Sequence, residues 1–272
     1  MTVAEVCERM EMTRQNYYKR RKEREDRSLG DEMLCKHVID IRADHPRMGG
    51  RKLLTMISKD LSMHGLRIGR DKLFKILRDK GLLVSPYKAK FPKTTRYNES
   101  LPCFRNIIKD VEVVRPNQVW VADITYLMMA NGFCYLSLIM DLFSRKIVGF
   151  HVSESLAAEG CVQALQEAIR LTCAKGGIHH SDRGCQYASH EYVKVLRKAG
   201  IGISMTEERH CYENSAAERL NGILKQEYGL DGMFSCIEEV IQRVMRVVEL
   251  YNNERPHTSL GMKTPAEVHQ AA

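Results

Sequence analysis

The chain lacks any long uninterrupted apolar run. No stretch approaches the roughly 18 consecutive apolar residues that a membrane-spanning helix needs, and no apolar signal-peptide core follows Met1. We therefore expect a cytoplasmic protein without a membrane partner. The length of 272 residues allows one large or two modest domains, and the apolar fraction of 44% is enough for a real core.

The sequence also lacks paired cysteines. Its nine cysteines are scattered from Cys7 to Cys236 without a Cys-x-x-Cys pair. This scatter is typical of a reducing compartment and argues against structural zinc. We therefore expect no zinc and, in particular, no His-His-Cys-Cys zinc module near the N-terminus.

Positive charge is concentrated in the first part of the chain. Residues 1–110 hold 26 Lys and Arg against 15 Asp and Glu, a net charge of +11, whereas residues 111–272 hold 16 against 19, a net charge of −3. Such a basic region is either an ordinary solvated surface or a surface that binds nucleic acid through its phosphates. The helical pattern beneath the charges favours nucleic-acid binding.

Apolar residues at helical spacing predict short helices in this basic region. Thr13 is a candidate N-cap for a basic helix from Arg14 to Lys22. Residues 1–29 are therefore interpreted as a first helix-turn-helix segment, in which Arg14 is a candidate DNA contact.

A second helix-turn-helix domain is predicted for residues 30–84, with a new helix beginning at Asp31. Its expected recognition helix runs from Arg70 to Lys80. Three apolar side chains of this helix point inward, Leu73, Ile76 and Leu77. Four cations are left for phosphates and base edges, Arg70, Lys72, Lys75 and Arg78.

Residues 85–116 are predicted to be a basic linker that follows DNA. Prolines interrupt this stretch, and a short helix is expected from Phe104 to Ile108. The linker's cations include Lys88, Lys90, Lys93 and Arg96.

Residues 117–272 alternate between strand and helix patterns. The predicted order is strands at about 118–127, 133–143 and 146–152, a helix at 157–173, a strand at 177–181, a helix at 189–199, a strand at 202–206, and helices to the end. This order predicts an α/β fold with a mixed sheet flanked by helices.

Three carboxylates are candidates for a metal site. Asp123 lies in a predicted strand, Asp182 follows another, and 35 residues separate Asp182 from Glu218 on a predicted helix. Alone, each has an ordinary structural interpretation as an edge-strand, turn or solvated helix residue. Together, without suitably spaced Cys or His ligands, they predict a site for Mg²⁺ or Mn²⁺. Two such ions can clamp the attacking and leaving oxygens of a phosphodiester.

The helix around Glu218 offers more than one functional group. Glu218, Asn221 and Lys225 share one face of the predicted helix from Ser215 to Tyr228. One helix can therefore present a metal ligand, an amide and a cation to the same substrate.

Four motifs occur in order along the chain: Trp120-Val-Ala-Asp-Ile-Thr-Tyr126, His180-Ser-Asp-Arg-Gly-Cys-Gln-Tyr-Ala-Ser189, Asn214-Ser-Ala-Ala-Glu-Arg-Leu-Asn-Gly-Ile-Leu-Lys-Gln-Glu227, and Tyr251-Asn-Asn-Glu-Arg-Pro-His257 with Thr264-Pro-Ala-Glu267. With the 35-residue gap, this series closely resembles the DDE transposases that bacterial insertion sequences of the insertion-sequence-three group encode in a second reading frame, relatives of retroviral integrases. The resemblance covers nearly the whole chain.

The resemblance implies a ribonuclease-H-like catalytic core over residues 117–272 and the activity of a DD35E transposase. Asp123, Asp182 and Glu218 match the catalytic, metal-binding acids, which would hold two Mg²⁺ or Mn²⁺ ions. Lys225 matches a basic residue that touches DNA near the cut, and Asn221 is expected beside it. A supporting shell is expected from three residues, His180, Gln186 and Tyr187.

The implied reaction is cleavage at the element ends by water, followed by attack of the freed 3′-hydroxyl on another strand. The implied partners are double-stranded DNA with terminal inverted repeats, target DNA, further copies of the chain in a synaptic complex, and an upstream-frame (OrfA) protein, separate or fused. The place of action would be the nucleoid in the bacterial cytoplasm. Where the family commonly has Asp-Asn-Ala, this chain has Glu213-Asn214-Ser215, which leaves all three acids intact.

Two other functions remain open at this point. One is a DNA-binding regulator in which the acids are a relic, and metal-dependent nicking would exclude it. The other is a ribonuclease-H-type nuclease that cuts without joining, and strand-transfer products would exclude it.

Overall fold

The computed structural model of the protein describes residues 2–63, 67–85, 103–173, 176–207 and 213–271, without the side chains of 26–29 and 63. The chain forms two compact units. The helical unit is Met1–Asp44 with Met48–Ser85, and the sheet unit is His45–Arg47 with Pro86–Ala272. The predicted linker cations Lys88, Lys90, Lys93 and Arg96 lie outside the described residues. The domain boundaries predicted after residues 29, 84 and 116 remain predictions.

The described residues of the helical unit form four helices, α1 (Val3–Arg9), α2 (Arg14–Asp44), α3 (Gly50–Met63) and α4 (Arg70–Asp79). Thr13 precedes α2, and its Oγ1 accepts a hydrogen bond from the Asn16 N–H at 3.2 Å, as expected of an N-cap. The core of the unit joins α2, α3 and α4 through buried aliphatic side chains, Leu34, Val38, Leu53, Ile57, Leu61, Leu73, Ile76 and Leu77.

The predicted break between Lys22 and Asp31 is wrong, because α2 is one helix of 31 residues. The intervening residues are mostly charged helix formers, and Gly30 costs only about 1 kcal/mol relative to alanine in a helix. Packing of Leu34 and Val38 in the core of the helical unit offsets that cost. Within the described residues, no helix combines the length and apolarity needed to cross a membrane.

A mixed sheet of six strands organises the sheet unit. The strands are β1 (Val119–Met129), β2 (Gly132–Asp141), β3 (Ile147–Ser153), β4 (Ile178–Ser181), β5 (Gly202–Met205) and β6 (Met233–Phe234). Their order is β3-β2-β1-β4-β5, and β6 pairs with the far end of β1. Because β1 is antiparallel to β2 and parallel to β4, the predicted mixed sheet is confirmed.

Helices cover both faces of this sheet. They are α5 (Ala158–Thr172), α6 (His190–Lys198), α7 (Ser215–Tyr228), α8 (Ile237–Asn253) and α9 (Pro265–Gln270), with a 3₁₀ turn at Thr258–Leu260. Val121 and Leu127 of β1 belong to the core cluster of α7 and α8, whereas Trp120 and Ala122 belong to that of α5 and α6. Alternate strand residues point to opposite faces, so neighbours on β1 serve two different cores.

The expected helix from Phe104 to Ile108 does not form, since these residues have no regular secondary structure. The Asn106 N–H donates instead to the Glu207 carboxylate at 3.0 Å, and the Ile107 N–H donates to Ser204 Oγ at 3.1 Å. These long-range partners replace the bonds that a helix would have supplied.

Candidate active site

Asp123 and Asp182 are neighbours through the pairing of β1 with β4. The two strands run parallel, and Val121 lies opposite His180. Asp123 stands two residues beyond Val121, and Asp182 stands two residues beyond His180, directly after the end of β4. Both carboxylates therefore lie at the same end of the parallel pair, where α/β folds place their ligands.

Helix α7 brings Glu218 to the same place. At its start, Asn214 Nδ2 donates to the backbone carbonyl of Ala122 at 3.0 Å, next to Asp123. One turn after Glu218, Asn221 Nδ2 donates to Asp123 Oδ2 at 2.7 Å. Glu218 lies between these two attachments, and its side chain is exposed. The helix is thus held across β1 with the third acid beside the first two.

The three acids influence one another electrostatically. Burial, reinforced by the negative charges of Asp182 and Glu218, raises the pKa of Asp123 to about 7. Burial and the charge of Asp182 also raise the pKa of Glu218 above its ordinary value. Like charges that disfavour one another's ionisation indicate a cluster that needs a cation.

The carboxylate oxygens are partly occupied by local hydrogen bonds. Asp123 Oδ1 accepts from the Ile124 N–H at 2.9 Å, and Asp182 Oδ1 accepts from the Gly184 N–H at 2.9 Å. Asp182 therefore has the turn role that its sequence context suggests, in addition to its place beside Asp123.

In this conformation, the described part of the chain contains no three His, Cys, Asp or Glu side chains that converge closely enough to hold a metal ion. The donor set still fits Mg²⁺ or Mn²⁺, because all donors are carboxylate oxygens and such ions take their remaining ligands from water and phosphate.

Lys225 is more enclosed than its predicted DNA contact requires. Its side chain is 6% exposed, and Nζ lies 4.4 Å from the centre of the Tyr126 ring, as in a cation–π contact. Burial lowers the pKa of Lys225, and the charges of Asp231 and Asp123 oppose that effect. The ammonium group is therefore enclosed by the protein and lies within electrostatic reach of Asp231 and Asp123.

The expected shell residues take different places. Tyr187 is buried near the acids, where burial raises the pKa of its hydroxyl well above the ordinary value and the charges of Asp123 and Asp182 add to the shift. Gln186 Nε2 donates to the Leu156 carbonyl at 2.8 Å, which anchors the turn after Asp182.

His180 faces β5 rather than the acids. Its Nδ1 lies 2.8 Å from Ser204 Oγ, and burial lowers its pKa to about 4, so the ring is neutral at pH 7. Its support of the active site is therefore indirect, through the packing of β4 against β5.

The candidate DNA contacts of the helical unit are exposed. On α4, Leu73, Ile76 and Leu77 are buried, as predicted. The four basic residues on the outside are Arg70, Lys72, Lys75 and Arg78. Two ion pairs link Arg70 to Asp71 at 3.0 Å and Lys72 to the half-buried Asp31 at 3.3 Å. Arg14 is exposed at the first residue of α2.

Sequence analysis missed two residues that shape the site. Asn214 precedes a helix and suggests an N-cap, yet its side chain makes no capping bond and reaches β1 instead. Tyr126 forms the aromatic face against Lys225. No local pattern indicates either role, because each depends on which strand lies beside α7.

The chain matches known protein families over the region that carries this site. Residues 113–211 and 199–265 match two families that are both described as Integrase core domain. The Insertion element IS600 uncharacterized 31 kDa protein of Shigella sonnei is 34% identical over 96% of each chain. Transposase InsF for insertion sequence IS3A of Escherichia coli K12 is 32% identical over 70% of this chain and 67% of its own length. The catalytic core domain of HTLV-2 integrase, solved in complex with magnesium, aligns at 20% identity with a TM-score of 0.48, over 58% of this chain and 99% of that chain.

Proposed function

This chain belongs to the DDE transposases that bacterial insertion sequences of the IS3 group encode, and we propose that Asp123, Asp182 and Glu218 form its catalytic centre. The observation that carries the proposal is the geometry that brings the acids together: the β1–β4 register places Asp123 near Asp182, and Asn221 of the Glu218 helix donates to Asp123 Oδ2 at 2.7 Å. Burial and the charges of both other acids also raise the pKa of Asp123. Acids that merely stabilise a fold are normally paired with donors or cations that lower their pKa.

We infer that the centre holds divalent cations, Mg²⁺ or Mn²⁺, two in the working complex. When bound, such ions supply Lewis acidity toward a phosphodiester and stabilise its attacking and leaving oxygens. The protein must provide ionised ligands for them. With a pKa near 7, Asp123 is about half protonated at neutral pH without a cation, so it must release a proton to act as a ligand.

Other side chains of the chain position these acids. Asn221 Nδ2 donates to Asp123 Oδ2, which restrains one oxygen and directs the carboxylate toward α7. Asp182 is held by the Gly184 N–H in the turn after β4. We propose that Asn221 acts through Asp123, and that the Lys225 ammonium reaches a DNA phosphate only after Tyr126 or α7 moves, because the side chain is 6% exposed.

We propose that the helical unit selects the DNA. Arg70, Lys75 and Arg78 on the exposed side of α4 are suited to phosphates and base edges, and Arg14 adds a second contact point. The proposed partners are the terminal inverted repeats of the element, target DNA, further copies of the chain in a synaptic complex, and an OrfA partner or fusion at the bacterial nucleoid.

The test is cleavage and strand transfer on a labelled duplex that carries the element's own terminal repeat, in Mg²⁺. Glu218→Gln removes one charge without changing the size of the side chain. We expect the rates of cleavage and strand transfer to fall on the order of 10³-fold, because the variant loses several kcal/mol of transition-state stabilisation. DNA binding, measured by fluorescence anisotropy, should be unchanged.

A matched control is Glu167→Gln. Glu167 is exposed on α5, on the opposite face of the sheet, where it pairs with Arg170 at 2.8 Å. This variant should cut and join like the natural chain. Metal-dependent products from Glu218→Gln at the natural rate would refute the catalytic role. Cutting without joining by the natural chain would indicate a nuclease, and a complete lack of products would call for the same assay on the OrfA fusion.

A further inference from the structure

A segment that precedes the sheet is attached beside β5. Phe104 packs against the core cluster of α5 and α6. Two residues later in the chain, the Ile107 N–H donates to Ser204 Oγ at 3.1 Å. Residues 104–109 thus lie along the sheet edge that leads toward the start of α7.

Asn106 bridges two glutamates at that edge. Its backbone N–H donates to Glu207 Oε1 at 3.0 Å, and its Nδ2 donates to Glu213 Oε2 at 2.9 Å. The Ile108 N–H donates to Asn106 Oδ1 at 3.2 Å, which fixes the orientation of the amide. The amide oxygen and the amide nitrogen of this side chain therefore both have hydrogen-bond partners within the protein.

The two glutamates are also joined to each other. The Glu207 N–H donates to Glu213 Oε2 at 2.6 Å, so one carboxylate oxygen of Glu213 accepts from both Glu207 and Asn106. Lys109 Nζ lies 2.6 Å from Glu207 Oε2 and adds a positive charge to the cluster. Glu207 follows β5 and Glu213 stands next to the start of α7; residues 208–212 between them are outside the described residues.

Glu213 is connected to the catalytic helix through Asn214. Asn214 donates its side-chain amide to the Ala122 carbonyl, and its own carbonyl accepts from the Glu218 N–H at 3.2 Å. Since a helix rises about 1.5 Å per residue, Glu218 stands within one turn of this anchored start. Glu213 is therefore the immediate chain neighbour of the residue that anchors the start of the Glu218 helix.

We propose that Asn106 is a positioning residue for Glu218: by holding Glu213, it fixes the start of α7 and so the place of Glu218 relative to Asp123 and Asp182. The proposal rests on the proposed catalytic role of Glu218. Small displacements matter at such a site, because metal sites and reacting groups tolerate only misplacements smaller than about 1 Å.

The test compares Asn106→Ala with Gln118→Ala in the full chain. Gln118 is a matched control, because its side-chain amide also holds backbone that precedes β1. Its Oε1 accepts from the Val114 N–H at 2.9 Å, and its Nε2 donates to the Glu112 carbonyl at 2.8 Å. The bonds of Gln118 do not involve α7.

Two readouts distinguish positioning from general support. In metal-free protein, amide hydrogen exchange in residues 215–222 should speed up about tenfold in Asn106→Ala, as expected for one lost hydrogen bond to a charged group, while exchange in α5 stays unchanged. The Mg²⁺ concentration for half-maximal DNA cleavage should also rise about tenfold. Gln118→Ala should change neither readout.

Unchanged exchange in 215–222, or equal acceleration throughout the sheet unit, would overturn the proposal. Glu213→Ala removes the same bond from its other side and is judged by the same two readouts if Asn106→Ala does not fold. The exchange readout needs no catalysis, so failure of the proposed function, seen as an active Glu218→Gln, is distinguishable from failure of this inference.

Discussion

Two aspartates of the same sheet show how neighbouring groups distinguish a proposed catalytic carboxylate from a structural one. Asp123 lies on β1, and Asp141 is the last residue of β2, opposite Trp120 of β1. Asp141 is fully buried, and it accepts from the Asn117 N–H and the Ser144 N–H at 2.8 Å each, and from Ser144 Oγ. His269 Nδ1 lies 3.5 Å from Oδ2, the oxygen that also accepts from Ser144.

The two pKa values move in opposite directions. Burial acts to raise the pKa of both acids. For Asp141, hydrogen bonds from His269, Ser144 and Asn117 outweigh burial and hold the pKa below its ordinary value. For Asp123, the negative charges of Asp182 and Glu218 add to burial, and the bonds from Ile124 and Asn221 are too few to compensate. The partners, rather than burial alone, therefore distinguish the proposed catalytic acid from the structural one.

The largest expected difference between the two acids is in stability. Asp141→Ala leaves two backbone N–H groups and the Ser144 hydroxyl without their acceptor, so it should lower the free energy of unfolding by about 3 kcal/mol. Asp123→Ala removes an acid in a repulsive cluster and should leave the metal-free protein as stable or more stable. Urea unfolding in EDTA measures both. Equal losses of unfolding free energy in the two variants would contradict the distinction between Asp123 and Asp141.

The next effect is the response to metal. Mg²⁺ at 100 times its dissociation constant should stabilise the natural chain by about 2.7 kcal/mol, because it binds the folded state alone. Mg²⁺ should raise the thermal midpoint of Asp141→Asn as much as that of the natural chain, from a lower starting value. It should raise the thermal midpoint of Asp123→Asn only slightly. A full Mg²⁺ response in Asp123→Asn would place the ion elsewhere.

The smallest effect is in the pH dependence of the metal-free protein. The folded pKa of Asp123 is raised to about 7, so its stabilising contribution is present below its unfolded value and is lost as pH rises toward 7. The folded pKa of Asp141 is depressed, so its contribution is present above the unfolded value and is lost as pH falls.

Replacement of each acid by asparagine should remove its own part of this profile. In the natural chain, the free energy of unfolding should fall by about 1 to 2 kcal/mol between about pH 4 and pH 7, a figure reduced because the Asp123 side chain is partly exposed. Asp123→Asn should abolish this fall. Asp141→Asn should instead flatten the loss of stability in acid. Urea unfolding at a series of pH values in EDTA gives both slopes, and identical slopes in the two variants would contradict the opposite pKa directions.

The amino-acid sequence by itself determined the order of strands and helices from β1 to β5, because strand and helix periodicity are local, and its motifs singled out the three acids as candidates. It predicted only helices after β5, so the short strand β6 is a correction. It also indicated the buried side of α4. Its local signals misjudged α2, where charged helix formers continue through Gly30, and residues 104–108, where distant acceptors take the backbone N–H groups.

Only the tertiary structure decided which side chains serve the site. Asn221 turns to Asp123, Lys225 lies over Tyr126, and Asn106 holds Glu213 across a sequence separation of 107 residues. It also decided that hydrogen bonds hold the pKa of Asp141 below its ordinary value, whereas burial and neighbouring negative charges raise that of Asp123. Such pairings depend on which strands become neighbours, and the order β3-β2-β1-β4-β5 is set by packing between distant parts of the chain, which no local pattern of residues encodes.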